Sequence, residues 1–144
     1  MLAAILMLFC LFPTTFVEKG SLTITVQNID QEEGMIWLGI YRSEEEFLIK
    51  EKCILIGKEV QKGQAMELRV DDLPYGDYAF ALFHDENNNG VMDQNLIGIP
   101  SEPFAFSRKP PSRFRLPTFE EVKFNFQQKT MTISAPLKKW WQAG

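Results

Sequence analysis

The stretch HDENNNGVMD, residues 84–93, contains three carboxylates, three asparagines and one glycine. This spacing of oxygen-bearing side chains fits the calcium-loop pattern D-x-[DN]-x-[DN]-G, which continues with a backbone carbonyl and a further donor after the glycine. The residues at these positions are Asp85, Asn87, Asn89, Gly90, Val91 and Asp93. Calcium takes six to eight oxygen ligands in irregular geometry, and glycine permits the positive-φ turn that closes such a loop. The pattern therefore predicts a cation site.

The closing ligand of the pattern is missing, because Leu96 stands where a calcium loop normally has a bidentate Glu. Gly98 and Pro100 permit a sharp return of the chain, so Glu102 is the candidate for this place, with Asn95 as an alternative donor. The predicted metal ligands are Asp85, Asn87, Asn89, Val91, Asp93 and Glu102. The predicted cofactor is calcium, held with a Kd of roughly 10⁻⁴ to 10⁻³ M as in extracellular modules.

Two other interpretations of this stretch stay open. Asn and Asp tolerate left-handed backbone and form Asx-turns, so the loop could be a metal-free turn. Alternatively, His84, Asp85 and Glu102 could serve a small hydrolase or a sugar-handling protein. No nucleophile with a suitably spaced base accompanies them, and His84 is expected to orient a loop carboxylate instead. Zinc is disfavoured because the chain contains one histidine.

Charge is distributed unevenly along the 144 residues, whose net charge is −4. Residues 70–107 contain seven acidic residues and no Lys or Arg, whereas residues 108–144 contain eight basic residues. The middle third should therefore attract cations. A chain of this charge lacks the basic character of a nucleic-acid-binding protein, so no nucleic-acid partner is expected.

The N-terminus predicts export. Twelve apolar residues precede Pro13, a run too short to span a bilayer and typical of a signal-peptide core. Residues 1–17 are accordingly predicted to be a signal peptide, with a buried helix or strand as the alternative. Bulky Phe9 before Cys10 disfavours a lipid anchor. After removal of the signal, Cys53 is the single cysteine, no disulfide can form within the chain, and no stable membrane span remains.

Alternating apolar and polar residues predict seven short strands and one short helix. The strands are expected at 21–29, 35–41, 54–60, 65–70, 77–85, 121–126 and 129–134. The helix is expected at 42–52, with Ser43 and Glu46 as a capping box. The strand at 35–41 is apolar on both faces and should be central, and the last two strands should pair around the turn at 127–129.

These elements predict an all-β fold, an antiparallel β-sandwich with one long ordered loop. The sequence LPYGDY, residues 73–78, resembles a tyrosine corner in which the phenol of Tyr78 bonds to the backbone upstream. The long loop between Asp93 and Glu120 contains five prolines but also apolar side chains that should anchor it. A single domain is expected over 21–137, followed by a C-terminal tail at 138–144.

Residues 73–107 and 116–126 together resemble the bacterial domain-of-unknown-function family 2141, over roughly residues 21–137. The resemblance rests on LPYGDYA, HDENNNGVMD, GIPSE, FS and LPTFEEVKFNF in this order. It implies a secreted β-sandwich of immunoglobulin-like or transthyretin-like type, with no established activity. The family loop falls on His84, Asp85, Asn87, Asn89, Gly90, Asp93, Gly98, Pro100 and Glu102. Pro103 and Ala105 replace glycines that are usual in the family.

The sequence predicts an exported binding or structural module, located in the periplasm, at the outer envelope or outside the cell. In this interpretation, a calcium-stiffened loop presents the segment PFAFSRKPPSRFR, residues 103–115, to a protein or glycan partner. Aromatic residues beside arginines are typical of interfaces.

Overall fold

The computed structural model describes residues 16–61, 65–112 and 114–142, and most of the predicted signal peptide lies outside them. Within these ranges, the chain forms eight strands, one short α-helix and two 3₁₀ turns. The strands are β1 (Lys19–Gln27), β2 (Met35–Tyr41), β3 (Ile54–Glu59), β4 (Met66–Pro74), β5 (Gly76–Asp85), β6 (Phe104–Phe106), β7 (Phe124–Phe126) and β8 (Thr130–Pro136). The helix α1 spans Phe119–Val122, and the 3₁₀ turns span Lys50–Lys52 and Trp140–Gln142.

The strands form two sheets, which confirms an all-β sandwich. One sheet has the order β4-β1-β8, and the other has the order β3-β2-β5-β6, with β7 pairing with the first residues of β5. The predicted central position of β2 is confirmed, because β2 lies between β3 and β5. No helix in the described part of the chain is long and apolar enough to cross a membrane.

The core lies between the sheets and follows the alternation of the strands. In β1, Leu22, Ile24 and Val26 are fully buried, as their alternation with polar residues predicts. In β2 and β5, the inward residues include Leu38 and Phe80. The outward residues of these two strands are also largely apolar.

The predicted tyrosine corner is confirmed at the crossover from β4 to β5. The Tyr78 hydroxyl donates a hydrogen bond of 2.8 Å to the Pro74 carbonyl oxygen, and the side chain is 3% exposed. This bond fixes the turn that carries the chain from one sheet to the other. Burial raises the pKa of Tyr78, which keeps the phenol in its donor form.

The predicted helix at 42–52 is wrong. Residues 43–48 form turns, and a 3₁₀ turn follows at Lys50–Lys52. Leu48 has φ 62°, a left-handed conformation that ends any helix begun at Ser43. Phe47 is the buried residue here, and it packs edge-on against Tyr41 and Phe119.

The observed helix lies where the sequence predicted a strand over 121–126. Helix α1 ends at Val122, and only Phe124–Phe126 is extended. The Glu121 carboxylate accepts a hydrogen bond of 2.9 Å from the Thr118 N–H at the helix start. A T-x-x-E signature at 118–121 therefore begins a helical turn, which overrides the apolar alternation at 122–126.

The predicted pairing of the last two strands is also wrong, and so is a wholly antiparallel sandwich. β7 pairs with β5, whereas β8 joins the other sheet and runs parallel to β1. The predicted long loop contains one short strand, β6, which pairs with β5. The predicted tail begins with a bridge between Lys138 and Phe104 and continues into the turn at Trp140–Gln142, so it is attached to the domain.

Candidate functional site: the Asp85–Glu102 loop

The candidate loop begins at the end of β5, an interior strand of the larger sheet. Its tight turn depends on two left-handed residues, Asn88 with φ 57° and Gly90 with φ 78°. Asparagine and glycine are the residue types that adopt this conformation at least cost, so the local sequence dictates the turn.

Asp85 is the centre of the loop. Its Oδ1 accepts a 3.0 Å hydrogen bond from the Asn89 N–H, and its Oδ2 accepts a 2.8 Å bond from the Gly90 N–H. The indole N–H of Trp37 in β2 donates to the same Oδ2 at 3.1 Å. The loop is thereby fastened to its own strand and to the neighbouring strand.

The other predicted ligands of the turn lie within hydrogen-bonding distance of one another. The side-chain amides of Asn87 and Asn89 donate to the two carboxylate oxygens of Asp93, at 2.6 and 3.0 Å. Their amide oxygens accept from the N–H groups two residues on, those of Asn89 and Val91, which makes two successive Asx-turns. The structure therefore brings Asp85, Asn87, Asn89 and Asp93 together as the spacing predicts.

Glu102 returns to the loop, as the sequence predicts. Its two oxygens accept hydrogen bonds from the backbone N–H of Glu86 at 2.9 Å and of Asp93 at 3.0 Å. The carboxylate therefore clamps the two ends of the turn together, and it is 4% exposed. The alternative donor Asn95 is used elsewhere, since its Oδ1 accepts from Ile97 and Ile99 and closes a separate turn.

The two buried carboxylates have opposite pKa shifts. Burial alone would raise the pKa of Asp85, but hydrogen bonds from Gly90, Trp37 and Asn89 outweigh it, so this pKa lies below its ordinary value. Burial raises the pKa of Glu102 above its ordinary value, against the hydrogen bonds it accepts. The charges of Asp93 and Asp85 raise the Glu102 pKa further, which reflects an excess of negative charge around the loop.

The prediction that His84 orients a loop carboxylate is wrong. His84 is fully buried, and its Nε2 lies 2.7 Å from the carbonyl oxygen of Glu33. A carbonyl can only accept, so Nε2 carries the proton and His84 holds the β1–β2 connection. Next to it, Gly34 has φ 106°, and a Cβ there would collide with the Asp85 carbonyl oxygen.

The loop offers oxygen donors of mixed type. In the part of the chain that the structure describes, no three His, Cys, Asp or Glu side chains form a group that could hold a metal ion. The predicted ligands comprise three carboxylates, those of Asp85, Asp93 and Glu102, together with the amide oxygens of Asn87 and Asn89, and calcium accepts such mixtures. Asp93 and Glu102 each retain accepting capacity, because an ionised carboxylate has about four lone-pair sites.

Two residues of this region were not identified from the sequence. Trp37 is the indole donor to Asp85, and Lys50 donates a 3.2 Å hydrogen bond to the Gly90 carbonyl oxygen while lying 5.7 Å from the centre of the Trp37 ring. The strand at 35–41 is apolar on both faces, and this pattern could have indicated that the outward residue Trp37 makes contacts with another part of the chain. No local signal marks Lys50, which reaches the loop only through the fold.

The two sheets and this turn define a class: β-sandwich proteins with an Asx-rich loop at the end of an interior strand. Within that class, the chain belongs to domain-of-unknown-function family 2141, described as an uncharacterized protein conserved in bacteria, whose family model matches residues 24–134. The match covers the tyrosine corner, the whole loop and Glu102. Comparisons with curated proteins and with solved structures gave no match.

Proposed function

We propose that this protein is an exported binding module of the bacterial envelope or extracellular space, and that calcium binds weakly to its Asp85–Glu102 loop. The observation that carries the calcium proposal is the shared placement of Asp85, Asn87, Asn89 and Asp93 in one turn, with Glu102 joining its ends. Export is supported by the apolar run of residues 1–12.

The electrostatics of the loop support a cation. Burial and the neighbouring charges of Asp93 and Asp85 raise the pKa of Glu102, so a bound cation would relieve a repulsion that is already present. None of the salt bridges found among the described residues includes a carboxylate of this loop. Lys50, which reaches the loop, contacts a carbonyl oxygen of Gly90.

Calcium binding by Asp93 would require a change in the hydrogen bonds that it now accepts from the side-chain amides of Asn87 and Asn89. When Asp93 turns to a metal ion, the side-chain N–H groups of Asn87 and Asn89 lose their acceptor and turn to water. Each amide oxygen retains a second lone pair beside its Asx-turn bond and can offer it to the ion. The backbone of the turn needs no change, because its Asx-turns and Gly90 are already in place. Such a small rearrangement suits a weak site with a Kd of roughly 10⁻⁴ to 10⁻³ M.

The strand order supports an immunoglobulin-like variety of sandwich over a transthyretin-like one. The tyrosine corner joins β4 to β5, as it joins strands E and F of immunoglobulin domains. In that assignment, β1 and β4 correspond to strands B and E, and β2, β5 and β6 correspond to C, F and G. β8 occupies the place beside strand B that strand A usually takes.

The geometry favours a binding module over the hydrolase alternative. His84, Asp85 and Glu102 are 0, 1 and 4% exposed, and His84 Nε2 and the two carboxylates each bond to at least one backbone group of the fold. A catalytic group must reach its substrate, and these three side chains do not reach the surface.

The calcium proposal predicts a gain in stability on addition of calcium. At 10 mM calcium, which is about 10 to 100 times the expected Kd, the free energy of unfolding should rise by about 1.4 to 2.7 kcal/mol. Magnesium should do much less, since it requires a compact octahedron and retains its waters. The measurement is thermal unfolding of the purified domain, first treated with chelator and then titrated at fixed ionic strength.

Asp93→Ala is the decisive variant, because it removes a predicted ligand whose present contacts are exposed side-chain amides. It should abolish the calcium response and leave the stability in chelator nearly unchanged. Glu67→Ala, which removes an exposed carboxylate from β4 in the other sheet, is the matched control and should keep the response. If the melting temperature of the wild type does not change in 10 mM calcium, the proposal is overturned and the loop is a metal-free turn.

A further inference from the structure

The outer face of the sheet β3-β2-β5-β6 carries a groove of about 410 Å³. The small side chain of Ala81 in β5 forms part of its floor, and Gly39 of β2, which lies opposite Ala81 in the register, is covered by the Tyr41 hydroxyl and the Cys53 sulfur. Leu55 of β3 and Phe106 of β6 continue the same row on either side. A small residue, Ala81, among larger side chains leaves a depression on the sheet surface.

The groove has aromatic and loop walls. The next row of the sheet contains Trp37, Phe83 and Phe104, which are paired across β2, β5 and β6. Val91 from the Asp85–Glu102 loop and Leu116 from the proline-rich connection also line the groove. The segment that the sequence suggested for partner binding thus contributes to a concave surface.

The apolar character of this face is unusual for its position. The outer face of an antiparallel sheet is normally polar where water covers it. Here Leu55, Val91 and Leu116 remain 42, 56 and 63% exposed at the groove. A volume of about 410 Å³ falls within the roughly 300 to 1,000 Å³ that is typical of small-molecule sites.

The charged residues that line the groove favour a ligand with an anionic group. Within the described residues, the lining includes the cations Lys50 and Arg115 and no Asp or Glu, on a chain whose net charge is −4. Arg115 is paired with Glu121, its guanidinium bonding both carboxylate oxygens. Lys50 contacts the Gly90 carbonyl oxygen and the Trp37 ring and forms none of the salt bridges found among the described residues, so its charge is open to an anion.

We propose that the groove binds a single-chain fatty carboxylate, with the alkyl chain over Ala81 and Leu55 and the carboxylate at Lys50. This inference rests on the binding-module part of the proposed function and is independent of calcium. A glycan would require many polar side chains for its hydroxyl groups, and this lining is predominantly apolar. A peptide strand would require a free sheet edge, whereas the backbone of β2 and β5 is already paired on both sides.

The test uses sodium laurate at pH 8, followed by the fluorescence of the protein, because Trp37 and Trp140 both line the groove. Laurate should bind saturably. Dodecyltrimethylammonium, which has the same chain and the opposite charge, should bind at least tenfold more weakly. Shortening the chain by two methylenes should weaken binding about sixteenfold, since each buried methylene contributes about a factor of four. Equal binding of the cationic and anionic amphiphiles, or no binding of laurate, would overturn the proposal.

Two variants locate the site. Leu55→Glu places a carboxylate at the exposed rim of the groove and should weaken laurate binding at least tenfold, with an unfolding midpoint near that of the wild type. Lys50→Met should abolish the preference for the anionic amphiphile. Lys129→Met, which removes an exposed charge from the turn before β8, is the control and should bind as the wild type does. Unchanged binding by both Leu55→Glu and Lys50→Met would place the ligand elsewhere and refute the assignment.

Two separate measurements distinguish this inference from the calcium proposal: laurate is titrated in chelator, because calcium precipitates long-chain carboxylates, and the effect of calcium on thermal unfolding is measured without laurate. Laurate binding without any calcium effect on stability would refute only the proposal that the loop binds calcium. A calcium effect without laurate binding would refute the ligand assignment alone.

Discussion

Replacement of Asp85 by Ala is the most direct perturbation of the loop. Asp85 is 1% exposed, and its carboxylate accepts hydrogen bonds from Asn89 N–H, Gly90 N–H and the Trp37 indole. A hydrogen bond to a charged group contributes about 1.5 to 3 kcal/mol. Two of the three donors belong to a surface turn and can turn to water, so the lower value of about 1.5 kcal/mol applies to each of them. With the same value for the Trp37 bond, the total loss should be about 4.5 kcal/mol.

The loss can be measured by urea or thermal unfolding of the domain in chelator, so that calcium does not contribute. At about 4 °C per kcal/mol for a domain of this size, the melting temperature of Asp85→Ala should fall by about 18 °C. Asp93→Ala is the matched control, since its carboxylate contacts only the side-chain amides of Asn87 and Asn89 among its hydrogen bonds. It should cost less than about 1 kcal/mol, as exposed interactions do.

The pH dependence of stability provides a second measurement of the stabilisation by the Asp85 carboxylate. The folded-state pKa of Asp85 is lowered, so its stabilisation is present above the unfolded pKa of about 3.9 and is lost as the pH falls through the folded-state pKa. The difference between wild type and Asp85→Ala should therefore be constant near neutral pH and shrink below about pH 4. A loss under about 1 kcal/mol at pH 7, or equal losses for Asp85→Ala and Asp93→Ala, would refute the central role of Asp85.

Two further predictions concern the scaffold and its processing. Tyr78→Phe should lower the free energy of unfolding by about 0.5 to 1.5 kcal/mol, because it removes the 2.8 Å bond to the Pro74 carbonyl; an unchanged urea midpoint would leave Tyr78 as ordinary packing. N-terminal sequencing of exported protein should find a mature chain that begins between about Pro13 and Ser21, and material still starting at Met1 would contradict a signal peptide.

Strand positions were predictable where alternation and burial agree. β2 has the predicted bounds of 35–41, and the inward residues of β1 are those that alternate with threonine. The tyrosine corner was also readable, because a proline and a glycine set the turn before Tyr78. These features depend on residues that are close in sequence. Burial of one face of a strand also fixes its register, because a shift by one residue would expose the apolar side chains.

The failures have physical reasons. Ser43 and Glu46 offer helix-start chemistry, but only Phe47 after them is buried, so no apolar stripe stabilises a helix there. The residues 127–129 suit a hairpin, yet β8 crosses to the other sheet and pairs with β1 from the beginning of the domain. That partner is about 100 residues away in sequence, and a local pattern contains no information about so distant a strand.

The candidate site was predictable for the same local reason, as far as its side chains belong to one turn. Asp85, Asn87, Asn89 and Asp93 lie within nine consecutive residues, and Glu102 needs only a short return. The partners that come from other strands were missed. Trp37 and Lys50 reach the loop from β2 and from the turn before β3, and their roles exist only once the sheet has formed.

Trp37 links the two proposed sites physically. Its indole N–H donates to Asp85 inside the loop, while its ring lines the groove and lies beside the Lys50 ammonium. Lys50 in turn donates to the carbonyl oxygen of Gly90, the residue that allows the loop to turn. A cation that fixes the loop therefore also fixes one wall of the groove and the ammonium proposed to meet the ligand. By linkage, whatever calcium adds to the affinity for a carboxylate ligand, that ligand must add to the affinity for calcium.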